Sequence, residues 1–155
     1  AEKSAPPRYQ EILAASIPTV DLPEGAGTAR VVAGELEGVR GPAKTVTPVN
    51  VWDLRLAAGA STRLAVPDGF TTILVVRKGS VKLNGETPAQ GVALVRLDPT
   101  GDGLEIACEQ EASILALSGA PIAEPVVGRG PFVMNTEGEI RQAILDFQAG
   151  RMGTI

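Results

Sequence analysis

Apolar residues recur at every second position over short runs, and glycine or proline interrupts each run before it reaches helical length. In "NVWDLRLAAG" (50–59), Trp52, Leu54 and Leu56 share one side while Val51, Asp53 and Arg55 share the other. That alternation predicts a half-buried antiparallel strand. "ARVVAGEL" (29–36) and "STRLAVPDG" (61–69) predict shorter strands, the second ending in a Pro67-Asp68-Gly69 turn. "TTILVVRKGSVKLNGE" (71–86) predicts two strands, 71–77 and 80–84, hinged at Gly79 and closed by Asn84-Gly85, a strong hairpin dipeptide. Residues 91–119 predict three more strands, with turns at 98–103 and around Gln110. About eight strands with no helix between them indicate an all-β sandwich or small barrel of the jelly-roll type.

The period changes only near the C-terminus. Residues 121–135 carry Pro121, Pro125 and Pro131 and read as irregular. Thr136 then stands three residues before Glu139, the spacing of a capping box. Ile140, Ala143, Ile144 and Phe147 follow at helical spacing as one apolar stripe, and Gly150 fits the position just past the helix end. Thr136 and Glu139 thus have a structural role that competes with any catalytic one. The stripe, Phe147 included, is expected to be buried against the barrel or against another domain.

Composition narrows the picture. The 155 residues suit one ordinary domain. Aromatics are only 3% against 44% hydrophobic overall, so the core must be aliphatic. The net charge is −4 and the 14 basic residues are scattered, which gives no field along which a nucleic acid could lie. No apolar run approaches a membrane span, no secretory leader is visible, and a cytoplasmic location is the default expectation. "AEKSAPPRYQEI" is linker-like and begins without Met. Processing, removal of a tag, or a start within a longer protein each accounts for that.

The strongest chemical statement is the absence of histidine. It removes Ser-His-Asp and Cys-His catalysis, His-ligated zinc and mixed His/carboxylate iron. The single cysteine, Cys108, shares a strand face with Leu104 and Ile106 and is expected to be a buried, inert thiol. "GAGTAR" (25–30) has Arg30 where a dinucleotide fingerprint needs glycine. Asp98, Thr100, Asp102, Gly103 and Glu109 match the spacing of a calcium loop, but Pro99 and Glu105 fit it poorly and strands are expected on both sides. Glu35/Glu37 and Glu109/Glu111 are two apart, the spacing of one strand face, and read as solvated carboxylates. No residue of this chain is therefore assigned as catalytic, cofactor-binding or metal-binding.

"PPRYQ" (6–10), "RVVAGELEGVRGPA" (30–43) and above all "GAPIAEPVVGRGPFVMNTEGEIRQAILDFQAGRMG" (119–153) closely resemble the C-terminal half of pirin-family proteins. The resemblance implies a cupin barrel with a C-terminal α-helix: a linker-like segment over 1–15, the barrel over 16–135 and the capped helix over 136–150. Pirin-like proteins pair two cupin barrels. Their metal, usually iron, sits in the N-terminal barrel on three His and one Glu, and several members are described as quercetin 2,3-dioxygenases. None of those ligands maps onto this chain. The positions where a cupin would begin its ligand set, Asp68 to Thr72, read "DGFTT", and Asp68 already has its turn to explain it. The resemblance thus implies no cofactor here, iron in the N-terminal cupin domain, and that domain as the first partner. Three readings stay open. The chain is a non-catalytic half of an oxygenase that takes a flavonoid-like ligand, a regulatory module with a protein partner, or a barrel binding its own small ligand.

Overall fold

The computed structural model describes residues 5–6, 8–86 and 88–153; Ala1 to Ser4 and Pro7 of the linker-like segment lie outside the described residues. In chain order the strands are β1 (Thr19–Asp21), β2 (Gly27–Ala33), β3 (Glu35–Leu36), β4 (Val39–Arg40), β5 (Val49–Leu56), β6 (Ser61–Ala65) and β7 (Thr71–Lys78). They continue as β8 (Ser80–Leu83), β9 (Ala89–Gln90), β10 (Ala93–Arg96), β11 (Gly103–Cys108), β12 (Ala112–Gly119), β13 (Val127–Arg129) and β14 (Phe132–Met134), before α1 (Glu137–Gln148). Two units are separately compact, one ending at Pro121 and one starting at Ile122.

The first unit has a six-stranded sheet in the order β1-β2-β5-β12-β7-β10 and a four-stranded sheet in the order β6-β11-β8-β9, with every pairing in the two sheets antiparallel. The core is their shared aliphatic interior. Across the large sheet Ala29, Leu54, Ile114 and Val76 form one fully buried row, and Leu64, Ile106 and Val81 come from the small sheet. This is the alternation predicted from sequence, with one face of each strand in the core. The predicted hinge at Gly79 is where the chain leaves the large sheet (β7) for the small one (β8). Asn84 and Gly85 both take positive φ, 49° and 77°, and the Glu86 N–H donates to the Leu83 carbonyl, as a type I′ turn requires.

Several strands are additional to those read from sequence. β1, β4 and β9 have two or three residues each, too few to display a period. The predicted strand over 29–36 breaks at Gly34 (φ 75°), and a tight hairpin follows, turning on Glu37 (φ 48°) and Gly38 (φ 74°).

The second unit corrects one expectation. Residues 121–135 are not wholly irregular, because β13 and β14 pair as a hairpin around Gly130 (φ 57°), and α1 packs on that hairpin. The capping box forms as expected: Thr136 Oγ1 accepts from the Glu139 N–H at 3.2 Å, and Glu139 Oε2 accepts from the Thr136 N–H at 2.8 Å. At the other end the Gly150 N–H donates to the Phe147 carbonyl and the Arg151 N–H to the Asp146 carbonyl, which is a Schellman motif with Gly150 at φ 69°. Within this chain the apolar stripe is only half buried. Ile140 and Ala143 are enclosed, Ile144 is half-buried, and Phe147 is 64% exposed, touching Phe132 edge-on at a centroid distance of 6.1 Å. A helix of 12 residues extends about 18 Å. Strands of three residues cover about 10 Å, so the last turn overhangs its support. Ile140→Ala is therefore expected to cost about 2–5 kcal/mol, and Phe147→Ala about 0.5–1.5 kcal/mol, the worth of one aromatic pair. Urea melts of the two variants check the order, and a larger loss at Phe147 would contradict it.

Candidate functional site

The cupin ligand positions place the candidate site at the end of the barrel where the β6–β7 turn meets the β10–β11 turn. Pro67-Asp68-Gly69 is the predicted turn: the Phe70 N–H donates to the Pro67 carbonyl at 3.2 Å and Gly69 has φ 81°. Asp68 uses its carboxylate to fasten the neighbouring turn, accepting from the Gly101 N–H at 2.8 Å. The Gly69 N–H completes the link to the Pro99 carbonyl at 2.8 Å. Asp68 is thus committed to two turns at the rim.

Just inside the rim lies a row that the sequence reading did not single out. Register places Asn50, Ser118 and Thr72 side by side on β5, β12 and β7. Thr72 and Ser118 are buried, and the Asn50 amide donates to Ser118 Oγ at 3.0 Å. The signal was present as polar residues at inward positions of three adjacent strands, but register was needed to align them. One step deeper, Trp52, Ala116 and Leu74 form the next row, faced by Leu64, Val66 and Leu104 of the opposite wall. These side chains leave no room for a water molecule between them. The buried Trp52 Nε1 and Thr62 Oγ1 have no hydrogen-bond partner.

An iron centre does not fit this interior. Its inward polar groups are neutral hydroxyls, one amide and one indole N–H, which neither carry charge near neutral pH nor match the imidazole and carboxylate donors iron prefers. Among the described residues no three acidic or thiol side chains converge, and the chain has no imidazole. The same neutral set contains no proton carrier for general acid–base work.

The remaining candidates are dispersed. Cys108 is buried, donates its thiol to the Ala57 carbonyl at 3.2 Å, and lies four residues along β11 from Leu104, roughly 13 Å from the rim. Burial pushes the thiol above its ordinary range, only partly offset by a backbone hydrogen bond at Ala60. A concavity of about 720 Å³ beside it is floored by Ser61, Ala107 and Lys82 on the outer face of the small sheet, and Glu109 is the one carboxylate in its lining. The calcium-spaced residues do not form one loop. Asp98 closes its own turn by accepting from the Thr100 hydroxyl at 2.7 Å and the Thr100 N–H at 2.9 Å, contacts that hold its carboxyl below the usual range. Asp102 pairs with Arg63 at 2.6 Å, and Glu109 lies beyond the far end of β11. The carboxylate pairs share no strand face, a correction to the expectation from spacing. Glu37 sits in a turn; Glu109 and Glu111 lie in the connection between β11 and β12, and Glu111 meets Lys78 at 3.2 Å. In "GAGTAR" the backbone enters strand β2 rather than a helix. A Cβ on Gly27 would collide with the Arg55 carbonyl, so that glycine serves strand packing.

Residues 51–153 match the family model of the pirin C-terminal cupin domain. A Pseudomonas aeruginosa protein provisionally named a quercetin 2,3-dioxygenase is 44% identical over 97% of this chain and 52% of its own length. Human pirin is 33% identical over 99% of this chain and 53% of its own length. The crystal structure of a quercetin 2,3-dioxygenase from Acinetobacter baumannii superposes with a TM-score of 0.86 at 41% identity, over 96% of this chain and 51% of that one. The chain spans about half the length of the curated relatives it matches.

Proposed function

Because the chain belongs to the pirin family and corresponds to its C-terminal cupin half, we propose that it is the non-catalytic structural half of a two-barrel protein. In this reading the preceding half carries an iron centre and ring-opening oxygenation of a flavonol. The observation that supports it is the filled, neutral interior one row below the barrel rim, where Trp52, Leu74 and Leu104 occupy the space a metal and substrate would need. Iron would supply the redox chemistry with O₂ in the other half. This chain contributes rigidity instead, through a cooperative aliphatic core and turns tied together by Asp68. The same filled interior counts against a barrel that binds its own small ligand.

Turnover separates the parts of this reading. The 155-residue chain, supplied with Fe(II), quercetin and air, is expected to leave the flavonol absorbance unchanged, while the full-length protein consumes it. Consumption by the chain alone would overturn the structural role. Inactivity of the iron-loaded full-length protein would remove the oxygenase part and favour a regulatory role for the pair.

A further inference from the structure

The two outer faces of the barrel differ in chemistry. On the small sheet the outward positions are polar or small, as in the cross-strand row Ser61–Ala107–Lys82 and the neighbours Arg63 and Glu105. That is what a solvated antiparallel face requires. The six-stranded sheet departs from the rule. Register places Leu94, Val75 and Leu115 in one outward row and Ile73, Leu117 and Val51 in the next, six apolar side chains spread over four adjacent strands. Each alternates with a core residue, so none serves the interior. Leu94 is 68% exposed, and the other five are half-buried rather than enclosed.

Arginines border this apolar area. Arg30 and Arg55 flank it on the β2–β5 side, Arg77 lies at the end of β7, and Arg96 pairs across from Ile73. Arg77 reaches over β12 to Asp53 and to Ser113 Oγ, and Arg96 acts on the Asp98 carboxylate, which leaves Arg30 and Arg55 without a carboxylate within ion-pair distance among the described residues. An apolar centre rimmed by arginine is the anatomy of a protein interface. Two copies of this chain meeting through this face would bring unpaired arginines together, so the charge favours an unlike occupant with an acidic rim.

We infer that the outer face of the six-stranded sheet, from Val51 to Leu94, is the seat of the preceding half of the full-length protein, through an apolar surface bordered by carboxylates. This rests on the two-barrel reading above and adds which side of the barrel is covered and by what chemistry. The length supports that occupant, since the relatives continue for about as many residues again as this chain contributes to the match.

The test compares thiol labelling in the 155-residue chain and in the full-length protein. Leu115→Cys and Val75→Cys place thiols in the apolar centre, and Ala107→Cys places one on the outer face of the small sheet, with buried Cys108 as background. Thermal melts confirm that each variant folds. Maleimide should modify all three new thiols rapidly in the isolated chain. In the full-length protein positions 115 and 75 should slow by about 100-fold, as expected when access requires the halves to open, while position 107 stays fast. Protection of 107 instead of 115 and 75 would overturn this inference yet leave the two-barrel reading intact. Protection of none of the three would overturn both. Slow labelling of 115 in the isolated chain, with sedimentation as a dimer, would give the face to a second copy and overturn the inference.

Discussion

Gly79→Ala should lower the stability of the barrel by about 2–5 kcal/mol. Two separate penalties coincide there. Gly79 has φ 87°, a region that costs an L-residue about 1–2 kcal/mol. An added Cβ would also lie 2.6 Å from the Glu111 carbonyl oxygen and 3.1 Å from Ala112 Cβ, and the first of these is backbone that cannot rotate away. Neither β7 nor the start of β12 can yield easily, because seven register pairs hold them together. The chain must pass close by β12 at this corner in order to move from the six-stranded sheet to the four-stranded one. Gly69→Ala separates the two penalties, since Gly69 has a similar φ of 81° but open space around its Cβ position. It should cost only about 1–2 kcal/mol. Urea midpoints for the two variants decide the matter, and equal losses would show that the carbonyl contact contributes nothing.

Leu54→Ala should cost about 2–5 kcal/mol. Leu54 is fully buried in the middle of β5, between Ala29 on β2 and Ile114 on β12, where the surrounding sheet cannot collapse into the space left behind. Leu115→Ala, next to Ile114 along β12 but on the opposite face, should cost less than about 1 kcal/mol in this chain. The same substitution should become more costly in the full-length protein if the six-stranded face is covered there. Denaturant melts of both variants in both contexts check this. A Leu54→Ala variant as stable as the parent would mean that the core is not where the register places it.

Much of this architecture is legible locally. Trp52, Leu54 and Leu56 alternate because a pleated strand permits nothing else, and the inward side was identifiable before any pairing was known. Thr136, Glu139 and Gly150 could be assigned because caps depend on atoms within about one helical turn. The apolar outer face had a sequence signal too: Ile73 to Val76 are uninterrupted apolar residues, and β12 reads Ile114-Leu115-Ala116-Leu117. Runs of that kind mark strands with apolar residues on both faces. Phe147 lies uncovered in this chain because helical periodicity says which side a residue occupies but not how far its support extends.

The sequence by itself determined the strand-rich class, the capped helix and the lack of imidazole donors, since each depends on residue identity or on spacing of a few residues. Only the tertiary structure decided that Asn50, Ser118 and Thr72 share a row, that Glu37 leaves its strand at a turn, and that six apolar side chains join into one outward surface. Those outcomes depend on register between segments dozens of residues apart, where a shift of one position exchanges the inner and outer faces. Backbone periodicity fixes that a strand has two sides, and long-range pairing fixes what each side meets.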